Sequence, residues 1–520
     1  MADISQSFFV RKVRAIVSRV LCRWCYGVIR EILYRQRESY WYNTSQSPGP
    51  QRVWGYVNMH SVDPGESFKL MFSTGPTRGL TATGHVEIFR VGDYGDTDRA
   101  LVFTGGTLEL EFHPTNSTAA SVGPNWPVAL VVDAGEDWRS GYYSIDFVHA
   151  DGQRELDVAF VVVTAKTRAD VVIKLATATY QAYNRWGGHN LYPFESASSQ
   201  AGLGMATFEG DLIANMGHMV SFDRPTRSEF FEWESDFVLW IEKLAKKKGF
   251  TVGYATSFDV ATRPSTVDCG LLVSVGHDEY WAKEEFDRHH DRIFRDGGNT
   301  LFLGANTAYW QMRYVDINAP DHRRGRQMVC YKSLRDPITE STSGDPLLHV
   351  TARFRDAARR PETMLVGVGY QSNLVYRRQP TNSPYYVVDG DLPFFRGTGL
   401  VAGDRVADVI GHEWDNRDPE SERPAPGESM IDATDRLWHK ENSKIDPIPL
   451  DQIKVVFAGE PTDVFGHKGR AEAVYFESDM GARVFSSGTN RWSWGLNREG
   501  FVEEHFRRFN ENLILDFLNR

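Results

Sequence analysis

Three side chains able to bind protons or a metal stand together in SVGHDEYW, residues 274–281: His277, Asp278 and Glu279. An imidazole exchanges protons near neutral pH, and a carboxylate serves as a general base or as a ligand for a hard cation. The triplet follows the apolar run GLLVSVG and precedes AKEEFDRHHDRIFRDG, so it falls where a buried strand ends and a helix is about to begin. One carboxylate there could simply cap the helix. Asp278 suits that duty, which leaves His277 and Glu279 for chemistry.

Other apolar runs deliver similar material. DVVIKLA is followed by TATYQAYNRWGGHNLY, NTLFLGA by NTAYWQMRY, and ARVFSSG by TNRWSWG. In an open parallel sheet, ligands bind beyond the carboxyl ends of the strands, and aromatic walls with a few polar groups line most small-molecule pockets. Four strand ends carrying a polar group beside Tyr or Trp therefore predict one shared pocket. Tyr183 within it is read as a phenolate ligand or hydrogen-bond donor, against the plainer role of core aromatic. Gly187 and Gly188 allow a tight turn.

The chain has no G-x-S-x-G elbow and no phosphate-binding loop. Cys269 precedes its strand and so sits at the wrong end for a cysteine nucleophile. Hydrolysis here would need water activated by a metal or a base.

The elements that must position these groups fall into three blocks. Residues 1–49 form a basic segment and linker, ending near SQSPGPQ. Residues 50–166 hold seven short strand candidates, among them HVEIFRV and YYSIDFV, whose period-2 alternation predicts an antiparallel β-sandwich. Residues 167–520 alternate strands with helices that close on glycine, which predicts an α/β domain with a mainly parallel sheet, flavodoxin-like or class I amidotransferase-like. The fold class is thus multidomain α+β. A loop-rich insertion at about 311–450 has no readable topology.

The 520 residues carry a net charge of −11, and residues 11–37 hold eight Lys/Arg against one acid. The remainder, with 50 basic and 68 acidic side chains, argues against nucleic acid as a partner. Val13, Ile16, Val17, Val20, Leu21, Trp24, Val28 and Ile32 follow a helical rhythm with arginines opposite. That helix is expected to dock on protein in preference to an anionic membrane, and Arg19, Arg23 and Arg30 rule it out as a transmembrane span. Cys22-x-x-Cys25 has no second cysteine pair to complete a zinc site, and the chain reads as a reduced, cytoplasmic protein.

AYNRWGGHNLY (182–192), VSFDRP (220–225), VGHDEYW (275–281), LGANTAYW (303–310), MVCYK (328–332) and NRWSWGL (490–496) together resemble the large (β) subunit of N,N-dimethylformamidase. The likeness spans roughly residues 170–500. It implies an amidohydrolase that splits small N-substituted formamides into formate and amine. It also implies a mononuclear iron held by two tyrosines and a glutamate, and assembly with a small subunit or into a homo-oligomer. Carried over by motif, Glu279 is the glutamate ligand, Tyr183 the first tyrosine, and His277, Asn306 and Lys332 polar groups of the pocket. The second tyrosine is expected after SFDRP, yet no tyrosine occurs between Tyr192 and Tyr254. Either another tyrosine such as Tyr180 or Tyr192 supplies the ligand, or the iron site is altered or missing.

The sequence thus predicts an amide hydrolase in which Fe³⁺ activates water, His277 or Asp278 passes a proton to the departing amine, and Asn306 and Lys332 steady the oxyanion. The alternative is a non-catalytic sugar- or small-molecule-binding or assembly protein, favoured by the missing tyrosine.

Overall fold

The computed structural model describes residues 53–75, 80–184, 186–192, 217–226, 228–319, 324–333, 336–340, 348–355, 360–373, 382–417, 448–462 and 468–519. The expected N-terminal helix, the Cys22-x-x-Cys25 pair and the linker lie outside the described residues. The described chain is a mixed α and β protein with several antiparallel and mixed sheets.

Two antiparallel sheets come first. One pairs Val53–Val57, Ser67–Thr74 and Val128–Asp133; the other is built around Thr81–Val91, Gly141–His149 and Arg154–Val163. Phe68, Leu70 and Phe72 of the first share a core with Val86, Ile88, Ile145 and Phe147 of the second, each set spaced two residues apart as one face of a pleated strand requires. The strand Arg99–Thr104 went unread in the sequence because it lies at a sheet edge and buries little: Leu101 is 51% exposed.

The larger sheet has eight strands. Val252–Thr256, Val171–Leu175, Leu271–Val275, Asn299–Leu303 and Arg483–Ser486 run parallel in that spatial order. Ala471–Glu477, Lys454–Gly459 and Tyr386–Val387 continue it antiparallel. Five of the eight strands are thus parallel, and the sheet is mixed because a tight turn at 478–482 leaves no length for a crossover, so Ala471–Glu477 and Arg483–Ser486 pair as a hairpin. Val171, Ile173, Leu175, Val273, Leu301 and Phe485 face the helices Ser235–Lys248 and Glu504–Phe517. Phe302, Val484 and Val474 face the opposite way, toward the helix Lys283–Phe294. Burial on both faces is why these strands read as continuous apolar runs.

Arg90 of the antiparallel region makes a buried ion pair with Glu242 of the helix Ser235–Lys248, 2.5 Å apart, and Tyr254 Oη donates to the same carboxylate at 2.7 Å. A four-stranded sheet, Met219–Ser221, Gln327–Val329, Trp310–Tyr314 and Tyr280–Ala282, grows directly out of the HDEYW segment.

Candidate active site

The order of the parallel strands reverses between Val171–Leu175 and Leu271–Val275. Beyond the carboxyl ends of these two strands the chain assembles its most reactive side chains. Such a switch point is where open α/β sheets leave a crevice for ligands.

From Val171–Leu175 the chain enters the helix Thr177–Tyr183, whose last residue is Tyr183. Gly187 and Gly188, at φ +90° and +107°, then turn it back, as the sequence predicts. A side chain at Gly187 would strike the backbone of Ala120 at 2.7 Å. Asn190 joins the two ends of this loop: its Nδ2 donates to Tyr183 O at 3.1 Å and its Oδ1 accepts from Tyr192 N at 2.9 Å. Thr179 Oγ1 accepts the backbone N–H of Glu279 at 3.0 Å and of Tyr280 at 3.2 Å, tying the helix to the second strand end.

These ties bring three oxygens together. Tyr183 Oη donates to Glu279 Oε2 at 2.6 Å, and Tyr192 Oη lies 2.7 Å from Tyr183 Oη and 3.0 Å from Glu279 Oε1. Of the two tyrosines that could stand in for one after SFDRP, Tyr192 lies in this cluster. Tyr180 does not: its hydroxyl donates to buried Glu234 at 2.5 Å.

His277 Nε2 stands 3.4 Å from Glu279 Oε2 and 3.2 Å from Glu413 Oε2, with Nδ1 3.6 Å from Glu229. Burial disfavours the imidazolium, but Glu413, Glu229 and Glu279 outweigh it and hold the pKa well above the usual histidine value. Glu279 is correspondingly lowered: its burial is overcome by His277, Lys332 and Tyr183. Burial, then the Glu279 charge, pushes Tyr183 and Tyr192 well above the ordinary phenol range. Without a cation, both phenols stay protonated.

The triplet HDE splits by alternation. His277 and Glu279 turn to the cluster, whereas Asp278 points into the sheet and binds Lys174 Nζ at 2.7 and 2.6 Å and Ser274 Oγ at 2.5 Å. This corrects two readings of Asp278. It caps no helix, since the helix begins at Lys283 after Ala282, and its carboxylate is already held by Lys174, so it passes no proton.

Lys332 Nζ lies 3.4 Å above the centre of the Tyr192 ring and 4.8 Å from that of Trp310, which places it beside the oxygen cluster. Asn306 is buried at the end of Asn299–Leu303, and its backbone N–H donates to Asp415 at 2.9 Å. Its side chain makes no hydrogen bond to the Tyr–Glu cluster among the described residues, and its Oδ1 is buried without a partner there. Two expected pocket walls are core instead: Trp281 and Trp492 are fully buried, Trp281 over Lys174 and Trp492 against Phe506.

The unreadable insertion supplies what sequence reasoning missed. His412 and Glu413 open the strand Glu413–Asn416, and donor atoms of His277, His412 and Glu413 lie within 4.8 Å of one another. Asn490 Nδ2 donates to Glu413 Oε2 at 3.0 Å, so the polar residue of TNRWSWG does reach the site. HEWD repeats the composition of HDEYW, a signal that was present but unattached to any readable strand. Asn306, Ala308, Lys332 and His412 all have φ between +52° and +64°. Left-handed backbone at four non-glycine residues around one centre is the strain that functional sites carry.

Fold and site define a mixed α/β protein with a phenol–carboxylate–imidazole cluster at the point where strand order reverses. The model of the family described as N,N-dimethylformamidase beta subunit-like, C-terminal, matches residues 85–506, and the chain belongs to that family. No curated protein matches it. Among solved structures, a chain from a study of T cell activation by the bacterial superantigen toxic shock syndrome toxin-1 is 13% identical, covering 22% of this chain and 98% of that one at a TM-score of 0.14. A superoxide reductase (neelaredoxin) from Ignicoccus hospitalis is 10% identical over 21% of this chain and 79% of that one, TM-score 0.13. Murine CEACAM1b is 16% identical over 24% and 62%, TM-score 0.13. These likenesses are too slight to bear on fold or function. Among the described residues, no helix is long and apolar enough to cross a membrane.

Proposed function

We propose that the protein is an amide hydrolase that converts a small N-substituted formamide, or a related amide, to carboxylate and amine. One observation carries the reading: the oxygens of Tyr183, Tyr192 and Glu279 converge within 2.6–3.1 Å beside His277. Membership of the dimethylformamidase beta subunit-like family points the same way.

Three hard oxygen donors suit a hard cation, and donors that share a small ion at about 2 Å stand roughly 3 Å apart. The donor set therefore fits Fe³⁺ held by Tyr183, Tyr192 and Glu279. Such an ion would polarise the amide carbonyl and acidify water, and its charge would supply the bias the two phenols need to ionise.

The remaining steps belong to the chain's own groups. Glu413, braced by Asn490, accepts a proton from water as the water adds to the carbonyl. His277, kept protonated by the surrounding carboxylates, gives a proton to the departing nitrogen, so the amine leaves neutral. Lys332, above the Tyr192 ring, steadies the oxyanion, a contact that typically contributes about 3 kcal/mol; Asn306, whose side chain does not meet the cluster, is left out of this role.

We also read the antiparallel sheets as a β-sandwich and the parallel strands, ordered 2-1-3-4-5 along the chain, as a flavodoxin-like unit. A small partner subunit is part of the proposal, on the family's description as a beta subunit. The test is a screen of N-substituted formamides and acetamides with iron-loaded protein. Stoichiometric carboxylate and amine are expected, and no release from any of them would contradict the proposal.

A further inference from the structure

A cavity of about 40 Å³ lies where the first antiparallel sheet, the helix Thr177–Tyr183 and the loops of the four-stranded sheet meet. Its polar lining includes His60, Thr177, Gln181, Arg224, Thr226 and Arg326, besides Tyr56, whose hydroxyl accepts from Trp126 N.

The charges around it do not balance. Arg224 is fully buried, and each of its hydrogen bonds goes to a neutral acceptor: Ser221 O at 3.0 Å, Gln181 O at 3.0 Å, Gln181 Oε1 at 3.3 Å, Trp186 O at 2.7 Å and His189 O at 3.1 Å. Among the described residues no carboxylate pairs with it. The adjacent Asp223 is taken by Arg326, whose Nε and Nη2 reach it at 3.0 and 2.8 Å. Arg326 is itself 6% exposed, and its Nη1 is buried without a partner among the described residues. Two guanidinium groups thus line one cavity with a single carboxylate, the partly exposed Asp223, which pairs with Arg326 alone.

Burying an unpaired ion is among the costliest arrangements a fold can hold, and interiors normally supply the counter-charge. Burial and the Arg326 and Arg324 charges push the pKa of His60 well below the usual value, as expected where the surroundings are positive. The volume exceeds what a single water needs but admits nothing as large as a phosphate ester.

We infer that this cavity binds a small monovalent anion, a halide or a formate-sized carboxylate, between Arg224 and Arg326. Its consequence reaches the candidate active site. The carbonyls that Arg224 holds belong to Gln181, Trp186 and His189, in the segment that carries Tyr183 and Tyr192. An anion that fixes Arg224 therefore also stiffens the loop presenting both phenols.

The test is thermal unfolding of the full chain at constant sodium and ionic strength, with gluconate replaced stepwise by chloride, bromide or formate. A saturable rise in Tm with the small anions, relative to the gluconate baseline, is expected. A rise with halides alone names a halide site, and a rise with formate alone names a carboxylate site; either supports the inference. Arg326→Gln removes the cation while keeping an amide donor for partly exposed Asp223, and the protein that folds should lose the response. Equal Tm in every salt, or an undiminished response in Arg326→Gln, overturns it. Crystals grown in bromide offer a check independent of any variant: an anomalous peak between the two guanidinium groups supports the site, and a featureless cavity contradicts it.

Discussion

The phenol oxygens of Tyr183 and Tyr192 stand 2.7 Å apart, although a double-glycine turn separates the two residues. Both also lie within hydrogen-bond reach of Glu279. Two phenols and one carboxylate cannot share so small a space as three anions unless a cation neutralises them. As neutral phenols they donate to the carboxylate; under the proposed function, a bound cation would let both ionise.

If both tyrosines ligate iron, each should contribute to a visible tyrosinate-to-metal absorption band. Tyr192→Phe and Tyr183→Phe should each shift and weaken that band, and the double variant should bleach it. An unchanged spectrum in Tyr192→Phe would return the second ligand to some other residue.

Glu413→Gln should retain iron and lose activity, because Glu413 is assigned to proton transfer and not to the metal. General acid–base groups typically contribute about 10²–10⁴-fold, so kcat should fall by that order while iron content stays constant. Loss of metal in this variant would move Glu413 into the ligand set.

Asp278 should behave as a structural residue. Its partner Lys174 is fully buried and also pairs with buried Glu285, so the loss should fall below the roughly 3–5 kcal/mol of a buried charge left with no partner. Asp278→Ala should lose about 1–3 kcal/mol in urea unfolding, with whatever protein remains folded still binding iron.

Glu234 gives a pH signature. Burial pushes its pKa up to about 8, against 4.5 in the unfolded chain. The fold therefore favours its neutral form, and this contribution is complete below about pH 4.5 and disappears as pH rises through about 8. Glu234→Gln keeps an acceptor for Tyr180 and should gain on the wild type across that window. Parallel stability curves between pH 5 and 8 would show that Glu234 is ionised in the fold.

Where the sheet is covered on both faces, its apolar runs announce themselves, so the ends of Val171–Leu175 and Leu271–Val275 and the groups beyond them were legible. His277, Glu279 and Tyr183 followed directly. Glu413 did not, because it lies on a two-stranded pairing with Gly369–Asn373, which no local periodicity marks. Trp281 and Trp492 were misread as pocket walls because a tryptophan beside a polar residue has the same composition in a wall or a core. The destination of Asp278 depended on Lys174, more than a hundred residues away in the chain.

The central claim is that Tyr183, Tyr192 and Glu279 hold a ferric ion. Elemental analysis of the purified full chain, beside Glu279→Gln prepared identically, tests it most directly. The account predicts about one iron per chain in the wild type, and loss of that iron in the variant with its secondary structure intact. Wild-type protein that is folded and hydrolyses amides with no transition metal bound, or Glu279→Gln with its full iron content, would contradict it.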